Sequence, residues 1–399
     1  MWNIKEIKDQ KIYVVEKLKN CINPQEQERL ELTFASYLSM LDNSGTIRYT
    51  KIPNIIDNFT NNKLILKRKE KYEKLQFLQT DYGKLTDEYV SFLMELCNNV
   101  IQTKDSCTKI EDFSPYNPTL EELKQTSKSF YQSLGDEEIL TKANKVLEDD
   151  SIFTITDTIR KGEEFGGAAI KDYVFDKAYI CILKRNDLFE YQAFNHEVMH
   201  GIDFLMNKNQ LPSKYYEGLH EIPTYAIDYF FIDYLESLNY PEEEVQKLRV
   251  YKDVYLQFLA SNTKFHIKEE MRMGYYEGSH GYNDETFIDN PQKTDFSAYK
   301  VKDYLMGSKF YLGKLLEVES GVVSYGLYKQ IKENKEMGLN SLKELMRNPL
   351  PKDQIPDFSF INLDNDTLLD LSKEIGTFSL ENGHNIEEVP KAASSVSKK

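Results

Sequence analysis

The run Gln192-Ala193-Phe194-Asn195-His196-Glu197-Val198-Met199-His200-Gly201 constrains this chain more than any other. His196 and His200 lie four positions apart, with Glu197 beside the first. On a helix this spacing puts both imidazoles on one face, one turn apart, where both can reach a single ion. Phe194, Val198, Ile202 and Leu205 recur at helical spacing and predict the packing face of that helix. A catalytic zinc ion takes three protein ligands and keeps a fourth position open. Glu197 is then placed to take a proton from a water on the metal rather than to bind the metal itself. The alternative is a pair of structural histidines that happen to bracket a glutamate.

A third donor has to return from elsewhere in the chain. The segment Tyr215-Tyr216-Glu217-Gly218-Leu219-His220-Glu221 offers three candidates, Glu217, His220 and Glu221. Glu221 comes 21 positions after His200, room for the first helix to end and for the chain to return antiparallel, and it is the first choice. Glu217 is the second. His220 could ligate, or could sit beside the ligand. Asp203 and Asp228 are candidates for accepting the second ring N–H of the ligating imidazoles, as carboxylates around metal-bound histidines do. Asp228 lies seven residues beyond Glu221, two helical turns on and on the same face.

The rest of the sequence limits the alternatives. A chain of 399 residues can bury a sizeable core as one large domain or two ordinary ones. Its formal net charge of −15 argues against wrapping nucleic acid or lying on an anionic membrane. The four cysteines, Cys21, Cys97, Cys107 and Cys181, form no CxxC pair, and free thiols in a reducing compartment are expected. The first residues carry charges every few positions and lack the apolar core of a signal peptide. No apolar run reaches the roughly 18 residues of a membrane span. A cytoplasmic protein without nucleic-acid or membrane partners is the expectation.

Helical spacing predicts helices over 4–20, after Pro24, over 63–79 and after Thr86, with Thr86 as an N-cap. Phe113-Ser114-Pro115-Tyr116-Asn117-Pro118 breaks the pattern, and a helix follows with Thr119 and Glu122 at capping-box spacing and Gly135 as its stop. Between 153 and 185 the residues alternate and are β-branched, which predicts two or three strands around a glycine-rich turn. Helices return with the His196 segment, with 221–238, with 241–261 and with 295–320. The last ten residues, Pro390 to Lys399, are expected to be disordered.

These residues resemble the thimet oligopeptidase and oligoendopeptidase F family of zinc peptidases. In that family the HExxH motif is followed by a glutamate in an E-x-P-S-x-x-x-E pattern. Here Glu221-Ile222-Pro223-Thr224 and Asp228 occupy the matching positions. A glycine-containing strand pair also precedes HExxH in the family, as 156–183 does here. The element around His220-Glu221 is similar to the HES element of the carboxypeptidase Taq family as well. The likeness covers roughly residues 115 to 320. It implies a mainly α fold with a small β-sheet, zincin-like, with a helical shell around a deep active-site channel. It also implies an N-terminal helical lid region over 1–112, a catalytic region over 113–350 and a C-terminal segment over 351–399. The family's oxyanion-stabilising tyrosine and histidine match Tyr304 best and Tyr299 less well, with His280 and Tyr282 supplied from the preceding loop. The chain is shorter than the family's usual members, as is the segment between His200 and Glu221.

The combined expectation is a Zn2+-dependent metallopeptidase acting on short unstructured peptides. His196, His200 and Glu221 hold the metal, and Glu197 is the general base. Lys177–Lys184 is expected to be an edge strand that pairs with an extended substrate. The competing readings are a catalytically inactive zincin-scaffold protein that binds peptides, and a helical interaction protein without metal. Oligomeric state is open.

Overall fold

The structure, a computed structural model, describes residues 3–41, 85–101, 113–156, 166–207, 218–238, 240–273, 305, 309–351 and 354–381. Among these the chain is mainly helical, with one small three-stranded sheet. No described helix is long and apolar enough to cross a membrane. Backbone contacts divide the chain into two compact units. The first comprises Met1–Phe77 and Phe113–Leu211, the second Leu78–Asp112 and Pro212–Lys399.

The first unit begins with α1 (Ile4–Asn20) and α2 (Pro24–Leu41), which pack against each other. Helix α4 (Leu120–Leu134) starts at the expected capping box. The Thr119 hydroxyl accepts from the Glu122 amide at 3.2 Å, and the Glu122 carboxylate accepts from the Thr119 amide at 2.7 Å. It ends at Gly135, whose φ of +69° is the left-handed conformation that a glycine stop supplies. Helix α5 (Glu137–Leu147) follows, and then the sheet of β1 (Phe153–Thr156), β2 (Gly167–Asp172) and β3 (Lys177–Leu183).

The strand order is β1-β3-β2. Strand β3 pairs parallel with β1, from Phe153 opposite Ile180 to Thr156 opposite Leu183. It pairs antiparallel with β2, from Gly167 opposite Ile182 to Asp172 opposite Lys177. This corrects the expectation that Lys177–Lys184 is an edge strand: β3 is the central strand, and both its edges are already paired. Its apolar run Ala178-Tyr179-Ile180-Cys181-Ile182 is buried throughout, as a central strand's must be.

Helix α6 (Phe189–Met206) lies on β2 and β3 and also packs against α4 and α5. Enclosed in this way, it buries sixteen of its eighteen residues, all but His196 and Met206. The four residues expected to form its packing face are buried, but so are Ala193, Met199 and Phe204. The one-sided stripe is therefore corrected to burial all round.

The second unit is built on α9 (Lys309–Glu333), against which α3 (Asp87–Val100), α7 (Ile222–Ser237), α8 (Glu242–Met273), α10 (Lys335–Arg347) and α11 (Asn365–Glu381) all pack. The Thr86 hydroxyl caps α3 by accepting from the Tyr89 amide at 3.2 Å. Helix α9 does not stop near Ser320 but runs through Gly321 and Gly326. A Cβ at Gly321 would lie 2.5 Å from Leu256 Cδ1, and one at Gly326 2.8 Å from Leu363 Cδ2. These glycines let neighbours close on a continuous helix, so tertiary packing outweighs their low helix propensity. The helix expected over 63–79, Cys107 and the C-terminal tail lie outside the described residues. The Cys21 thiol contacts the Asn23 carbonyl oxygen at 3.5 Å, and Cys97 and Cys181 are buried thiols.

Candidate metal centre

Helix α6 carries the motif. The rings of His196 and His200 are 4.9 Å apart between centroids and nearly perpendicular, at 83°. His200 is buried and His196 half-buried. One turn of an enclosed helix fixes their spacing, and Phe194 stacks on Phe153 at 5.3 Å to hold the helix over β1. The Tyr131 hydroxyl adds a hydrogen bond of 3.3 Å to the Asn195 carbonyl from α4.

Glu197 points to the sheet. It is buried, and Gly167 lies directly against it: a Cβ there would sit 2.6 Å from Glu197 Cγ, 3.0 Å from its Oε1 and 2.9 Å from the Cys181 carbonyl oxygen. A glycine inside a strand marks a close approach of this kind. The sequence shows the Gly166-Gly167 pair but reads it as a turn or bulge. Nearby, burial and then the Glu197 charge push the Cys181 thiol up to about 11.

Glu221 ends a short 3-10 turn, Leu219–Glu221, and passes directly into α7, where Pro223 suits the first helical turn. Its carboxylate is held on both oxygens. His220 Nε2 approaches Oε1 at 2.9 Å, and the Thr224 hydroxyl donates to Oε2 at 3.2 Å and to the Glu221 carbonyl at 2.7 Å. The Gly218 amide donates to His220 Nδ1 at 3.3 Å, which leaves the His220 proton on Nε2, facing Glu221.

His196, His200 and Glu221 form a group that could hold a metal ion, each offering one ligand atom, with those atoms all within 4.8 Å of one another. A tetrahedral ion with bonds of about 2.0–2.1 Å would set such donors roughly 3.4 Å apart. Two imidazole nitrogens and one carboxylate oxygen are a donor set that zinc accepts, so the residues fit the ion.

Of the other candidates, Asp203 is buried on α6 and accepts from Asn207 Nδ2 at 3.1 Å. Asp228 accepts from the buried Lys252 ammonium at 2.7 Å, and that ammonium also lies 3.8 Å from the Tyr225 ring centroid. Nothing in the local sequence signals Lys252, which comes from α8. Glu217, His280, Tyr282, Tyr299 and Tyr304 lie outside the described residues.

No family model matches the sequence, and no curated protein gives a significant match. Solved structures do resemble it. A protein assigned as an oligoendopeptidase F from Bacillus anthracis str. Ames superposes with a TM-score of 0.52 at 13% identity, over 92% of this chain and 69% of that one. PZ peptidase A, solved with an inhibitor, superposes with a TM-score of 0.50 at 10% identity, over 95% and 85% of the respective chains. The chain therefore shares the fold of these structures.

Proposed function

We propose that this chain is a zinc-dependent metallopeptidase that hydrolyses short unstructured peptides. The observation that carries the reading is the group of His196, His200 and Glu221, with a second acid, Glu197, next to the first histidine. The fold shared with PZ peptidase A supports peptide hydrolysis over other uses of such a group.

His196, His200 and Glu221 would hold Zn2+. Bound there, the ion would supply Lewis acidity, lowering the pKa of a coordinated water toward about 7 and polarising the scissile carbonyl. Glu197 accepts the proton of the attacking water and returns it to the leaving amine as the C–N bond breaks. Its burial against Gly167 keeps the carboxylate in one position for both transfers. His220 and Thr224 orient the Glu221 carboxylate. By resemblance, Tyr304, His280 or Tyr282 donates to the oxyanion.

The test is a digest of a mixed peptide library with wild type and Glu197→Gln, with and without chelator, read by mass spectrometry, alongside metal analysis. Wild type should cleave only without chelator. Glu197→Gln should keep stoichiometric zinc and lose turnover by about 10²- to 10⁴-fold. Near-normal cleavage by the variant would end the proposal. Zinc and peptide affinity in wild type without cleavage would point instead to a binding protein on the same scaffold.

A further inference from the structure

We propose that Ser320 of α9 is a positioning residue for Glu221, acting through the backbone of the Gly218–Ile222 turn. The inference rests on the metal reading above. Glu221 belongs to a short turn, a 3-10 segment of three residues with two backbone bonds, from the Glu221 amide to the Gly218 carbonyl at 3.2 Å and from the Ile222 amide to the Leu219 carbonyl. What holds it is one face of α9. Gly313, Glu317, Ser320 and Ser324 recur there at helical spacing.

The Ser320 hydroxyl donates to the Gly218 carbonyl at 2.7 Å. The Ser324 hydroxyl lies 2.5 Å from the Ser320 carbonyl of its own helix and 2.9 Å from the Ile222 carbonyl, so its proton serves chiefly α9. Ser320 is thus the serine whose proton is directed to the turn that carries Glu221. Glu317 anchors the next turn by accepting from the Tyr225 hydroxyl at 3.0 Å and the Tyr255 hydroxyl at 2.8 Å, with Lys314 at 2.6 Å. Both serines are fully buried, where an unmade bond is costly.

Buried helix serines commonly bond their own helix, and Ser320 also lies 2.9 Å from the Leu316 carbonyl. The Gly218 carbonyl is the nearer acceptor, so the single hydroxyl proton is directed chiefly to the turn. Gly218 completes the fit. Its φ of +94° disfavours any side chain, and a Cβ would lie 2.8 Å from the Gly313 carbonyl oxygen and 3.0 Å from the Glu317 amide. The turn thus touches α9 backbone to backbone, and its height sets where the Glu221 carboxylate sits.

The experiment measures Zn2+ affinity of the full chain by competition with a chromogenic chelator, together with the melt of the metal-free protein. The variants are Glu221→Ala, Ser320→Ala, Gly218→Ala and a matched control, Ser36→Ala. Ser36 makes the same pair of bonds from α2, to Leu32 of its own helix and to the Lys171 carbonyl of β2. Ser320→Ala should weaken Zn2+ binding by about five- to tenfold, the scale of one neutral hydrogen bond. Gly218→Ala should weaken it further, and should this variant not fold, Ser320→Ala alone decides. Ser36→Ala should move only the melt. A Ser320→Ala protein that binds Zn2+ as wild type does, while Glu221→Ala loses it, overturns this proposal and leaves the metal reading standing. A wild type without Zn2+, or a Glu221→Ala that keeps it, overturns both.

Discussion

The two stretches that carry the candidate ligands are held in different ways. His196 and His200 ride on a helix enclosed by a sheet and two helices, so side-chain packing fixes them. Glu221 sits on a three-residue turn whose leading residue, Gly218, has its carbonyl gripped by the Ser320 hydroxyl and admits no Cβ. Packing positions a whole element and spreads its control over many residues. Backbone hydrogen bonding positions one peptide at a time and concentrates control in a few atoms. Damage to the helix should therefore appear first as lost stability. Damage to the turn should lower metal affinity by more than its cost in stability accounts for.

The strongest way to break this contrast is Phe194→Ala. It removes a fully buried ring stacked on Phe153 and should cost about 3–5 kcal/mol of stability, measured by urea denaturation. Zinc affinity unchanged in the fraction still folded would sharpen the contrast; a selective loss of affinity at full stability would break it. Gly167→Ala comes next. Its Cβ would meet Glu197 at 2.6 Å and displace the carboxylate while leaving the imidazoles in place. Turnover should fall by about a hundredfold with zinc retained, the usual scale for a misplacement near 1 Å. Steady-state kinetics with parallel metal analysis would check it, and unaltered turnover would mean that the Glu197 position is not critical.

Glu319 gives the second unit a pH dependence. Burial pushes its carboxyl up to about 8, although the Tyr89 hydroxyl donates to it at 2.6 Å. The folded chain holds a proton that the unfolded chain releases above about 4.5. Stability from this group is thus complete below about pH 4.5, declines as pH rises toward about 8, and levels off beyond it. The slope is at most about 1.4 kcal/mol per pH unit. Glu319→Gln should flatten that slope in denaturant titrations between pH 5 and 8, and an identical slope in the variant would exclude Glu319 as its source. The smallest effect is Thr119→Ala, which removes the hydroxyl's bonds with the Glu122 amide and carboxylate, keeps the backbone half of the box, and should cost about 1 kcal/mol in a thermal melt.

How much of this was legible in the sequence depends on the range of the interaction involved. The histidine pair, the Thr86 and Thr119 caps and the Gly135 stop are local patterns, decided within one or two turns of chain. Glu221 was reachable because Pro223 and the spacing from His200 narrow the choice. The order of the three strands was not. Alternation and β-branching say that Lys177–Leu183 is a strand, but only pairing on both sides makes it central. The same holds for Gly167, whose need for a missing Cβ comes from Glu197 thirty positions on. The helix expected to end at Ser320 runs on through Gly321 and Gly326, where the close approach of Leu256 and Leu363 comes from distant parts of the chain. The hydroxyl grip of Ser320 on Gly218 joins residues 102 apart and leaves no periodic trace.

The enclosure of α6 also bears on how freely this stretch can drift. Of its eighteen positions all but His196 and Met206 are buried, and the first of these two is claimed by the ion in the reading offered above. Nearly every substitution there must pass through a core that tolerates little change in volume. Lineages that share this architecture can lose most of their common letters elsewhere long before this one segment has room to wander.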